Sequence, residues 1–134
     1  MISIEEVNII LDEIAETLPK EFYNKLNGGI ILLPQFKIHS ESKGDNLYIM
    51  GEYNYNTLGR YITIYYGSFE KVYGSLDRNG LKEKLRKTLL HEFTHHIEHL
   101  AGEKNLEIKD KIKLEKYKNN LKKKSIWQNF TNLI

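Results

Sequence analysis

Ile4, Val7, Leu11, Ile14 and Leu18 recur at spacings of three and four, with Glu5, Glu6, Asp12, Glu13 and Glu16 between them. That period predicts an amphipathic helix, with Ser3 placed to cap its start and Pro19 marking its end. Phe22 and Tyr23 add a turn before Asn27-Gly28-Gly29 interrupts the pattern. The continuous apolar run 30–33, closed by Pro34, predicts a brief strand, and 36–39 predicts another. Residues 40–46 are polar and contain Gly, as a surface loop does. Two longer strands are predicted at 47–55 and 60–66, rich in Tyr, Ile and Thr, joined as a hairpin through Asn56-Thr57-Leu58-Gly59. A short helix at 68–73 and a loop at 74–80 follow.

From Leu81 the period becomes 3.6. Leu81, Leu85, Leu89, Phe93, Ile97 and Leu100 fall on one side of a long helix that Gly102 stops. A further helix is predicted from about 105 to 121, then a lysine-rich tail at 122–134. No repeat, low-complexity tract or Pro-rich linker divides the chain, so residues 1–134 read as one domain. Helices and strands are segregated rather than alternating, which predicts an α+β fold.

Composition narrows the chemistry. The 134 residues include no Cys, which excludes disulfides, thiolate metal sites and cysteine nucleophiles. A net charge of +2 is too small to argue for nucleic acid from the total. The first residues, Met1-Ile2-Ser3-Ile4-Glu5-Glu6, are acidic where a secretion signal is basic, and no apolar run reaches membrane-spanning length. The expectation is a soluble protein that stays in the cytoplasm, with no membrane partner.

Four of the five histidines lie between His91 and Gly102, in the order His91-Glu92-Phe93-Thr94-His95-His96-Ile97-Glu98-His99. This contains H-E-x-x-H. Residues four apart lie one turn apart on the same side of a helix, so His91 and His95 can aim two imidazoles at one Zn²⁺. Glu92, on the neighbouring flank, can take a proton from a metal-activated water without itself being a ligand. His91 and His95 fall opposite the centre of the apolar stripe, which separates the core side of the helix from the metal side.

Catalytic zinc usually takes three protein ligands. The metzincin extension H-E-x-x-H-x-x-G-x-x-H fails here, because position 98 is Glu and position 101 is Ala. On the wheel of the next helix Asp110 falls in the middle of the apolar face made by Leu106, Leu114, Tyr117 and Leu121. A carboxylate there must be paired, protonated or bound to a metal. Asp110 is therefore the preferred third ligand, and Glu107, at the edge of that face, the alternative.

Other readings compete. His95-His96-Ile97-Glu98-His99 is also H-x-x-E-H, the inverted order, with His95 and His99 as ligands and Glu98 as base. It leaves His91 and Glu92 without a role. His96 projects into the apolar arc, where a hydrogen-bonded core residue is expected. Tyr48, Tyr53, Tyr55, Tyr61, Tyr65 and Tyr66 read first as strand residues. Between Lys104 and Lys124 stand nine lysines and three carboxylates. Without Arg or interleaved aromatics there, a solvated helix face is preferred over a nucleic-acid patch.

The run Leu89-Leu90-His91-Glu92-Phe93-Thr94-His95-His96, preceded by the strand at 60–66 and Tyr66-Gly67-Ser68-Phe69, resembles the minimal zincins, small bacterial zincin-like metallopeptidases. The resemblance implies a small mixed sheet packed on an N-terminal helix and the H-E-x-x-H helix, with a further C-terminal helix. It also implies an edge strand beside the active-site helix that holds an extended peptide. His91 and His95 match the zinc ligands of that family and Glu92 its general base. Many members place Gly and then Asp shortly afterwards as the third ligand, and this chain has Glu98 and Ala101 instead.

The resulting expectation is a zinc-dependent metallopeptidase acting on a peptide or protein substrate, with the strand at 60–66 available to pair with the substrate backbone. The alternative from another class is a catalytically inactive zinc-binding structural or interaction protein on the same scaffold.

Overall fold

The computed structural model describes residues 1–42, 44, 47–103 and 113–120. The chain divides into two compact units, Met1–His96 and Ile97–Ile134. Helix α1 (Ile4–Glu16) starts where its pattern predicts. Ser3 Oγ accepts the backbone N–H of Glu6 at 3.2 Å, and Val7, Ile10, Leu11 and Ile14 are buried. A short 3₁₀ turn (Lys20–Tyr23) follows Pro19 and buries Phe22.

The strands are β1 (Gly29–Leu33), β2 (Lys37–Ile38), β3 (Tyr48–Ile49), β4 (Gly51–Asn56) and β5 (Gly59–Tyr65). The expected single strand at 47–55 is broken at Met50. Its first part pairs antiparallel with β2 in a separate two-stranded sheet. The remainder, β4, joins a three-stranded sheet in the order β1-β5-β4. β1 runs parallel to β5 and β4 antiparallel to it, so the sheet is mixed. Asn56 pairs with Gly59, whose φ of +115° suits a residue without Cβ, so the hairpin turn is tighter than its predicted four-residue loop.

This order changes the expected role of 60–66. β5 is central and its backbone is engaged on both sides, so it cannot pair with an incoming peptide. β4 is an edge. Sequence alone does not reveal this, because both strands of a hairpin carry the same apolar alternation.

α2 (Tyr66–Tyr73) follows β5 directly, and α3 (Arg78–Gly102) is the long helix. Leu81, Leu85, Leu89 and Phe93 of α3 are fully buried with Ile62 and Ile64 of β5. Phe93 packs on Phe22 and edge-on against Tyr23, with ring centroids 5.8 and 5.1 Å away. These contacts place the 3₁₀ turn against the middle of α3, the turn that carries the motif. In the second unit Ile97, Leu100 and Leu114 are buried and residues 113–120 are helical. No helix among the described residues is long and apolar enough to cross a membrane.

Arg78, the first residue of α3, donates to Glu6 from Nε at 2.7 Å and to Glu13 from its NH2 group. The Arg78 hydrogen bond holds the Glu13 carboxyl below its ordinary range, against a smaller opposing effect of burial. A lowered carboxyl stabilises the fold above its unfolded-state pKa, and that contribution is lost as pH falls through the folded-state value. Arg78→Met should therefore flatten the acid limb of stability below about pH 5. Urea midpoints measured across that range would check it.

Candidate metal centre and cleft

α3 turns His91 and His95 outward, and both are exposed. Their Nε2 atoms lie 3.1 Å apart, with the rings nearly perpendicular at 88°. At that separation one neutral ring can donate to the other. Zn–N bonds of about 2.0–2.1 Å at the tetrahedral angle set the nitrogens about 3.3–3.4 Å apart, so this pair needs little adjustment to hold a zinc ion.

Glu92 lies on the adjoining flank and is only 6% exposed. Burial raises its carboxyl above the ordinary range, and the charge of Glu52 adds to that. His91, His95 and the backbone amide of Tyr53 pull the other way. A buried carboxyl with a raised pKa beside two closely spaced imidazoles is the kind of perturbed group found at functional sites.

A cleft of about 350 Å³ opens beside it. One wall is Ile49, Met50 and Gly51, where β3 passes into β4, and the other is Lys87, Thr88, His91 and Glu92 of α3. Gly51 allows these walls to approach. A Cβ there would come within 2.9 Å of the Thr88 methyl and 3.1 Å of the Thr63 carbonyl. Gly51→Val should cost about 1–3 kcal/mol by forcing strand and helix apart, read as a lower urea midpoint.

The register shows which backbone groups of β4 face outward. Tyr65 N–H donates to Met50 C=O, which makes Met50 and Tyr65 a hydrogen-bonded pair. Counting by two, Glu52 and Asn54 also bond to β5, whereas Gly51 and Tyr53 turn their N–H and C=O away from it. The Tyr53 amide meets Glu92, and Gly51 lies in the cleft wall.

His96 is fully buried, as the apolar arc predicts. Its ring nitrogens lie 2.8 Å from Tyr53 Oη and 2.7 Å from the Asn24 carbonyl. A carbonyl only accepts, so Nε2 carries the proton and Nδ1 accepts the tyrosine O–H. His99 lies 2.7 Å from Glu103 in its own turn, and Glu98 is exposed. His39 accepts the Glu41 amide in a loop. Asp110 and Glu107, the candidate third ligands, lie outside the described residues. Among the described residues no three His, Asp or Glu side chains are grouped to hold a metal.

Sequence reasoning missed Met50, Gly51 and Lys87 as parts of the site. The signals available were a Gly inside a strand pattern, which marks close backbone approach, and a lysine four residues before His91.

An α+β chain with an open cleft along its motif helix has a counterpart among solved structures. It is similar to a conserved hypothetical protein from Thermo thermophilus, at 30% sequence identity and a TM-score of 0.65, with 75% of this chain and 99% of that chain covered. The chain belongs to the family of that protein, whose description carries no activity. No family model and no curated protein matches the chain.

Proposed function

We propose that this chain is a zinc-dependent metallopeptidase of the minimal zincin kind. The observation that carries the reading is the 3.1 Å approach of two exposed imidazole nitrogens next to a buried Glu92, on the wall of a cleft bordered by a sheet edge. His91 and His95 would hold the metal, with Asp110 as third ligand and Glu107 as the alternative.

Zinc supplies Lewis acidity, which polarises a carbonyl and acidifies water. The rest falls to the chain. Glu92 accepts the proton of the attacking water and returns it to the nitrogen of the departing amine. Its burial keeps it from being stabilised as a solvated anion, which favours proton uptake. The outward N–H and C=O of Gly51 pair with the backbone of an extended peptide and align its carbonyl beside His91. A buried His96 holds Tyr53, and through the Tyr53 amide the Glu92 carboxylate, in place.

The test has two parts. Calorimetric titration should find one zinc per chain, and His91→Ala or His95→Ala should weaken it beyond the roughly 10–100-fold that loss of an outer partner costs. A diverse peptide library should be cleaved with zinc and spared with chelator. Zinc affinity unchanged in both variants would overturn the metal site. Zinc binding that raises the melting temperature without cleavage of any peptide would leave an inactive zinc-binding scaffold.

A further inference from the structure

The cations of the first unit are mostly matched. Lys37 bonds to Glu52, Arg78 to Glu6 and Glu13, Lys82 lies 3.5 Å from Glu13, and Arg86 pairs with Glu83. Lys84 and Lys71 lie over the rings of Tyr73 and Phe36. Lys87 differs. It is exposed, it lines the cleft, and among the described residues it has no carboxylate or ring partner.

Its position is specific. Lys87, His91 and His95 are spaced by four on α3, so Lys87 stands one turn before the imidazole pair on the same side of the helix. Across the cleft, Gly51 packs against Thr88, which puts the lysine level with Met50 and Gly51, where the edge of β4 begins.

We propose that Lys87 is a specificity residue which receives an acidic side chain, Asp or Glu, of an extended peptide lying along β4. This rests on the peptidase reading of the same cleft. One helical turn separates Lys87 from His91, about 5–6 Å, and an extended chain advances about 3.3 Å per residue. The acidic residue is therefore one or two positions from the bond at His91. The wall continues through Met50 into Ile49, so the peptide runs on past Lys87 rather than ending there, which favours a side chain over a terminal carboxylate. Among the described residues that line the cleft, the one carboxyl is the buried Glu92, which would repel an acidic group placed elsewhere.

The probe is a set of fluorescein-labelled octapeptides of Ala and Val. They carry one Asp, one Lys or neither, each as C-terminal acid and as amide. Binding to the zinc-loaded Glu92→Gln chain is read by anisotropy, so peptide is not consumed. The Asp peptides should bind about threefold to fivefold more tightly than the neutral ones, less so at high salt, and acid or amide termini should make no difference. Lys87→Gln should remove the preference, Lys87→Arg should keep it, and Lys87→Glu should transfer it to the Lys peptides. Equal binding of Asp and neutral peptides, or a preference that survives Lys87→Glu, overturns the assignment to Lys87 and leaves the peptidase reading standing. A preference that follows the free C-terminus overturns the side-chain assignment, and failure of every peptide to bind overturns the proposal outright. Asp peptides that bind as described but are never cleaved by the unsubstituted chain overturn the peptidase reading alone.

Discussion

Glu92→Gln is expected to lower kcat for peptide hydrolysis by about 10²–10⁴-fold, the range that a positioned general base contributes. Zinc affinity should change little, because the substitution leaves both imidazoles in place. Glutamine matches the shape of glutamate and can still accept the Tyr53 amide, but it cannot take up a proton. The same change should raise the thermal midpoint of the metal-free protein by a few degrees near neutral pH. Glu92 is a buried residue and burial is the largest influence on its carboxyl, so a neutral isostere removes a desolvation cost. Lost activity with gained stability is the mark of a group retained for chemistry. Activity that survives Glu92→Gln would remove Glu92 from the mechanism.

His96→Ala should destabilise the fold by about 3–5 kcal/mol. The imidazole is fully buried and bonds at both nitrogens, to Tyr53 Oη on β4 and to the Asn24 carbonyl after the 3₁₀ turn. Truncation leaves a cavity and takes a partner from two part-buried polar groups. That loss is a large part of the roughly 5–15 kcal/mol typical of a whole domain. Tyr53→Phe provides the gentler case. It removes one hydrogen bond and should cost about 1 kcal/mol. Both are read as urea midpoints on metal-free protein. Zinc affinity of the folded fraction should not fall in parallel, since His96 faces away from the imidazole pair. A His96→Ala chain as stable as the parent would overturn this account of the core histidine.

Helix α1, its Ser3 cap, the stripe of α3 and the outward aim of His91 and His95 were all legible in the chain. So was the place of His96 in the core. Each depends on residues within a turn or two of each other, where covalent geometry fixes the period. The break at Met50 was less legible, because an apolar, Tyr-rich run reads as one strand whether it belongs to one sheet or two. The partners of His96 were not legible at all. They lie 43 and 72 positions away, and nothing local to any of the three residues specifies the others.

The sequence by itself determined helix α1, the apolar stripe of α3, the α+β class, the spacing that brings two imidazoles together and the carboxylate beside them. Only the tertiary structure decided that β5 is central and β4 lies at an edge, that Gly51 meets Thr88, and that Lys87 shares a cleft with Glu92. The physical reason is that periodicity records which face of an element is apolar, whereas neighbours in a sheet are chosen by long-range packing. That choice leaves no mark in the spacing of the residues that make it.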